Sequence, residues 1–183
     1  IFMLKRTSHA SFASGMYVFP GGKVDHDDHL HKYDAYRVGP TEKQDRQIAS
    51  VGYEWRGFWI AAIRETFEES GLLLAYDDQG GMISFADQHI STRFAEYRRP
   101  LHDGALSLLD ICETESIKLA VDQIHFYNRF VTPEGRPRRF DTRTQKLVGT
   151  FSIFSRHQAS TFLSFQALAL SSSFNLCLAK FLV

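Results

Sequence analysis

Residues 58–71, FWIAAIRETFEESG, restrict the fold more than any other part of the chain. Trp59, Ile60, Ala62, Ile63 and Phe67 recur at spacings that a helix can bury, and Gly71 follows as a stop signal. Beside that apolar run, three glutamates and an arginine crowd into positions 64–69. On a helix, Glu65, Glu68 and Glu69 stand at i, i+3 and i+4 and share a face. Like charges this close repel by roughly a few tenths of a kcal/mol per pair on an exposed helix, and by more in a cleft. Two readings follow. One is a solvated charged face with an intrahelical Arg64–Glu68 pair. The other is a site for a hard divalent cation, Mg²⁺ or Mn²⁺, which prefers carboxylate oxygens and water. In the second, Arg64 holds a carboxylate in one orientation.

The surroundings of this helix are strand-like. IFMLKR (1–6) reads as a strand, and GMYVFPGGKVD (15–25) as a short β-rich piece broken by Pro20-Gly21-Gly22. Residues 26–56 are polar and mixed, and are expected to be irregular or partly helical. LLLAY (72–76) reads as a buried strand, 77–81 as a turn, and 85–99 and 104–113 as helices. IHFYNRFV (124–131) is a strand, TPEGRP a loop, and RRFDTR (138–143) the start of a return strand. Strands before and after a central helix predict a layered α/β or α+β domain. The length of 183 residues suits a single domain with a sizeable core.

Lysine plus arginine and aspartate plus glutamate each number 21, so no overall basic character points to nucleic acid. The two cysteines, Cys112 and Cys177, form neither a CxxC pair nor a disulfide framework. Cys112 follows an apolar stretch and reads as a buried small hydrophobe.

The motifs around the helix resemble those of the Nudix hydrolase family. RETFEESGL (64–72) is similar to the second half of the Nudix box, R-E-U-x-E-E-x-G-U with U apolar, apart from Thr66 at the first U. YVFPGGKVD (17–25) is similar to the entry into the same box. A compact box has its glycine fourteen positions before the arginine and a glutamate six after that glycine. Counting back from Arg64 lands on Ser50 and Arg56, which match neither. The pair Gly21-Gly22 is instead separated from Arg64 by a long insertion. This layout, with RFVTPEGRPRRFDTR (129–143), resembles the branch of the family that includes a peroxisomal coenzyme A diphosphatase.

The resemblance covers roughly residues 1–143. It implies an α/β/α sandwich with a mixed sheet, interrupted at about residues 26–57. It also implies hydrolysis of a pyrophosphate linkage in a nucleoside diphosphate–X substrate, with coenzyme A or an acyl-CoA favoured. Carried over residue by residue, Glu65, Glu68 and Glu69 hold Mg²⁺ or Mn²⁺, and Gly21 lends its carbonyl. Gly22 lets the loop pass close to the helix. Glu68 or Glu69 acts as general base, with Arg64 orienting. Lys23 is a candidate phosphate contact. In the basic loop, Arg139 and Arg143 are candidates for an extra substrate phosphate such as the 3′-phosphate of coenzyme A, against a reading as plain hairpin charge. The implied partner is a small diphosphate, with neither nucleic acid nor membrane. A peroxisomal or mitochondrial setting is implied, with the cytoplasm as the alternative. Two readings from other classes are a binding module without turnover and an inactive fragment.

Three further stretches carry expectations. HDDHLH (26–31) fits no structural zinc spacing and reads as a solvated loop. Trp55, Phe58 and Trp59 read as core or insertion packing rather than base stacking. Every aspartate and glutamate lies at or before Asp141, and the acid-free remainder is rich in Ser, Phe and Leu. Within it, 161–179 reads as an apolar helix or a weak membrane segment. Residues 144–183 are expected to depart from the family's continuation and to pack poorly. They offer no late acidic residue to a metal or as a base, which is expected to impair activity. The chain opens in strand-like sequence at Ile1, so a further strand of the domain is expected to precede it.

Overall fold

The carboxylate-bearing segment is a helix, and it runs through the middle of the molecule. The computed structural model describes residues 2–8, 14–52, 54–135 and 139–147, with backbone alone at 50–51, 165–169 and 177–182. In chain order these form β1 (Phe2–Arg6), β2 (Tyr17–Val18), 3₁₀ turns at His26–His29 and His31–Tyr36, β3 (Arg37–Val38) and α1 (Glu42–Val51). Then come α2 (Trp55–Ser70), β4 (Ala75–Tyr76), α3 (Gln88–His102), α4 (Leu108–Glu115) and β5 (Lys118–Ala120). A 3₁₀ turn leads into β6 (Ile124–Val131), followed by β7 (Asp141–Leu147), β8 (Phe165–Ala169) and β9 (Cys177–Leu182).

The described strands form three groups of three, ordered β2-β1-β8, β3-β5-β4 and β6-β7-β9. The β3–β5 pair is parallel and the other pairs are antiparallel, so the sheet content is mixed and the class α/β, as the sequence predicts. Phe58, Trp59, Ile60, Ile63 and Phe67 of α2 are fully buried together with Phe2 and Leu4 of β1 and Leu119 of β5. The helix ends where Gly71 takes up left-handed backbone and its N–H donates to the Phe67 carbonyl at 2.8 Å. Thr66, at a position where the family motif is apolar, is completely buried. Its hydroxyl donates to the Ala62 carbonyl at 2.6 Å, so the extra oxygen is satisfied inside the helix.

The insertion is built onto α2 rather than hanging from it. The His29 ring lies directly over Gly57, where an added Cβ would come within 2.3 Å of the ring. The Asp34 carboxylate accepts from Arg37 at 2.9 Å and from Arg56 at 2.9 and 3.2 Å. Both guanidiniums lie over the Trp55 ring, at 5.1 and 5.2 Å from its centre. Helix α1 opens with a capping box between Thr41 and Gln44. Gln44 is buried, and its amide also donates to the carbonyls of Val121 and Ile124. One turn on, Gln47 exchanges hydrogen bonds with the backbone of Phe126, at 3.1 and 3.2 Å, and so covers the start of the β6 edge.

Several expectations are corrected. The HDDHLH stretch is not wholly solvated: Asp28 is 1% exposed, because it pairs with a buried arginine of α2. The strand expected over 72–76 pairs only at Ala75–Tyr76. In the tail, 165–169 and 177–182 are extended rather than helical, pairing with β1 and β7. The change of composition at 143/144 falls inside β7, where Thr144, Gln145 and Leu147 are buried. The side chains of 150–183, on which the expectation of poor packing rests, lie outside the described residues. Among the described residues, no helix is long and apolar enough to cross a membrane. Trp59 and Phe58 are core and Trp55 packs the insertion, as read from sequence.

Candidate active site

A cleft of about 670 Å³ runs along the polar side of α2. Its walls include Arg6 at the end of β1, Asp25, Asp27, Asp28 and Tyr33 of the insertion side, and Arg64, Glu65, Glu68 and Glu69 of α2. The opposite wall is the end of α3, the loop 104–107 and the start of α4, with His102, Leu106 and Asp110. Helix α2 is apolar around most of its circumference, so its one polar stripe can only face this opening.

Arg64 organises the stripe. It is 8% exposed and donates to Asp28 at 3.0 and 3.0 Å, to Glu68 at 2.8 Å and to the Lys23 carbonyl at 2.8 Å. Glu65 and Asp25 lie 3.1 and 3.4 Å from it. Burial works against its charge, but Asp28, Glu65 and Glu68 outweigh that and hold the guanidinium above its ordinary range. Glu68 is gripped on both oxygens: Arg64 holds Oε1, and the Nδ1 of His102 lies 3.3 Å from Oε2.

Glu69 accepts from the Gly21 N–H at 3.0 Å. Burial pushes its carboxyl up to about 8; the Gly21 bond and Arg6 oppose the rise, and the charges of Glu65 and Glu68 add to it. Gly22 passes against Glu65 so closely that a Cβ there would lie 2.3 Å from the carboxylate oxygen. The turn that enters the motif and the helix that completes it therefore meet face to face.

Among the described residues, no three acidic, histidine or cysteine side chains are gathered tightly enough to make a finished metal site. The donor set nonetheless fits a hard divalent cation. Three carboxylates share one helix face, and their mutual charge helps drive one of them toward its protonated form. Glu65, Glu68 and Glu69 could hold such an ion after side-chain rotation, with backbone at Gly21 beside them.

The structure thus brings Arg64, Glu65, Glu68, Glu69 and Gly21 together. Lys23 contributes its carbonyl, while its side chain is exposed and does not line the cleft. Arg139 and Arg143 lie on the β6–β7 hairpin, outside the cleft lining. Arg139 donates to the Thr132 carbonyl at 3.2 Å. Arg143 packs 4.1 Å over the Phe58 ring and lies 3.4 Å from Asp141.

Sequence reasoning missed Asp28, Arg6 and His102. The signal for Asp28 was present. Counted forward from Gly22 rather than back from Arg64, the sixth position is Asp28, an aspartate where the compact motif has glutamate. The insertion therefore lies after this residue, and the count back from Arg64 ran into it.

No family model matches the chain. The chain is 31% identical over 143 residues to a nudix hydrolase of Caenorhabditis elegans, covering 78% of this chain and 37% of that protein. It is 23% identical to the acyl-coenzyme A diphosphatase NUDT19 of Xenopus laevis and 27% to that of Gallus gallus, with 78% of this chain covered in each case. It spans 45% and 46% of their lengths, so it corresponds to about half or less of these curated relatives. The crystal structure of a NUDIX hydrolase from Alicyclobacillus acidocaldarius superposes with a TM-score of 0.54 at 21% identity, covering 97% of this chain and 69% of that one. That structure supports the fold, and the C. elegans, Xenopus and chicken relatives carry the likeness in sequence. Both point the same way: in sequence and in fold, the chain is similar to Nudix hydrolases.

Proposed function

We propose that the chain carries the catalytic helix of a metal-dependent pyrophosphohydrolase acting on a nucleoside diphosphate–X substrate, with coenzyme A or an acyl-CoA preferred. The carrying observation is the convergence of Glu65, Glu68 and Glu69 on one turn of α2, with the Gly21-Gly22 turn against them, on the wall of the cleft described above. The preference for coenzyme A rests on the named activity of the frog and chicken relatives.

A divalent ion bound at the three glutamates would neutralise charge on the phosphoryl oxygens as it develops. The rest of the chemistry falls to the chain's own groups. Water adds to one phosphorus, the bridging P–O bond breaks, and its electron pair leaves with the departing phosphate. Water's proton passes to a carboxylate. Glu69 suits that role better than Glu68, whose two oxygens are already engaged by Arg64 and His102. Arg64 holds Glu68 in place, and Asp28 holds Arg64.

The test is incubation with coenzyme A and Mg²⁺, reading 3′,5′-ADP and 4′-phosphopantetheine by mass spectrometry, with Glu68→Gln and Glu69→Gln alongside. Products that vanish in both variants support the proposal. No products from a cooperatively melting chain would remove coenzyme A and turn the search to nucleotide sugars and dinucleotides.

A further inference from the structure

Helix α3 presents Phe94, Arg98 and His102 at i, i+4 and i+8, a single stripe along one side. The whole stripe meets one short stretch of α2. Phe94 packs edge-on against Phe67 at 6.4 Å between ring centres. Arg98 donates to the backbone carbonyl of Glu68 at 2.8 and 3.3 Å, and lies against Gly71. His102 reaches the carboxylate of the same Glu68 at 3.3 Å. One helix thus holds Glu68 by its main chain and, one turn later, by its side chain. The Glu68 oxygen facing His102 is the one that Arg64 does not hold. Arg64 alone would leave the carboxylate free to pivot about Oε1; two donors on two oxygens define its plane.

We infer that His102 is a positioning residue for Glu68: its Nδ1–H, backed by the Arg98 anchor, fixes the carboxylate plane and thereby sets how well the glutamate cluster takes a divalent ion. The inference rests on the metal-dependent reading above. It assigns to α3, an element outside both halves of the family motif, a share of the metal-binding geometry. A carboxylate oxygen can only accept, so the contact assigns the proton to Nδ1 of the ring.

The experiment is Mn²⁺ titration of the full chain, followed by electron paramagnetic resonance, without substrate. Four variants are compared: His102→Ala, His102→Phe, His102→Asn and Glu68→Gln. Asparagine places an amide N–H where Nδ1 stood, whereas phenylalanine keeps the bulk of the ring and loses the donor. The side chain is 47% exposed, so none of these substitutions hollows the core. Expected are a roughly tenfold loss of Mn²⁺ affinity in the alanine and phenylalanine chains, rescue by asparagine to about threefold of the parent, and unchanged melting. Equal affinity in all three His102 variants, with loss in Glu68→Gln, overturns the inference and leaves the proposed function standing. No Mn²⁺ binding by the parent chain overturns both.

Discussion

Asp28 and Arg64 stand 36 positions apart and meet through two parallel hydrogen bonds of 3.0 Å. One belongs to the turn that opens the insertion and the other to the helix that follows it, and the pair is buried. Removing one partner of such a pair leaves an uncompensated charge. Asp28→Ala is expected to cost about 3 kcal/mol of stability, the low end for a broken buried pair because Glu65 and Glu68 still face the arginine. Asp28→Glu, the residue type of the compact motif, is expected to recover most of it. Urea unfolding of the three chains measures both effects.

Glu69 makes the metal-free chain sensitive to pH. Its carboxyl is held near 8 in the fold, against an ordinary value near 4.5 when unfolded. Between those values the unfolded chain has released the proton and the folded one keeps it. Stability is therefore highest below the unfolded value, falls as pH rises, and levels off above the folded one, by on the order of a few kcal/mol in total. Melting in a chelator at a series of pH values should show this decline, and Glu69→Gln should flatten it. Added Mg²⁺ should stabilise most at the alkaline end, where the carboxylate is free to bind.

Gly22 tests the approach of loop to helix. Gly22→Ala sets a methyl group on the Glu65 carboxylate, 2.3 Å from its nearest oxygen, so the side chain must turn away. Mn²⁺ affinity is expected to fall by about tenfold, with a melting change of only a few degrees, because a flexible side chain yields more easily than backbone. An affinity equal to that of the parent would separate Glu65 from the metal.

Gly57 tests the docking of the insertion. Gly57→Val places its branches in the His29 ring, and an overpacking cost of about 2 kcal/mol is expected. Hydrogen exchange should rise first in residues 26–36, the segment that the clash lifts from α2.

The hairpin arginines should behave differently from one another. Arg143→Ala is expected to cost about 1 kcal/mol of stability, through its lost packing on the buried Phe58 ring, without changing KM. Arg139, exposed on the hairpin, remains the proposed contact to a 3′-phosphate. Arg139→Ala should then raise KM for coenzyme A and leave it unchanged for the dephosphorylated form. Equal KM changes for both substrates would leave the 3′-phosphate without this contact.

The parts of this molecule legible in the sequence were those fixed by local pattern. The α2 helix, its Gly71 stop and the shared face of Glu65, Glu68 and Glu69 follow from spacing alone, and so does the Phe126-containing strand β6. Asp28 was hidden because the insertion shifts every count made from the far side. His102 and Arg98 were hidden because their meaning depends on α3 docking on α2, a long-range fact. Their i, i+4, i+8 stripe with Phe94 was visible, but a stripe mixing phenyl, guanidinium and imidazole does not read as a packing face. Thr66 looked like a departure from the motif and is a conservative one, since its hydroxyl never leaves the helix.

The way the insertion leaves and rejoins the site has a consequence for how such a chain can lengthen. In the compact motif, the acidic residue and the arginine are eight positions apart; here they are separated by 36 and still touch. Closure entropy grows only with the logarithm of loop length, so the longer path costs about 1.3 kcal/mol more than the compact one. The Asp28–Arg64 pair, the ring of His29 on Gly57 and the Asp34 bridge to Arg56 together offset a cost of that size. What the chemistry constrains is therefore a junction, not a distance along the chain: an excursion after Asp28 reaches the same geometry so long as it returns into the buried start of α2, where Phe58, Trp59, Ile60 and Ile63 set Arg64 in place.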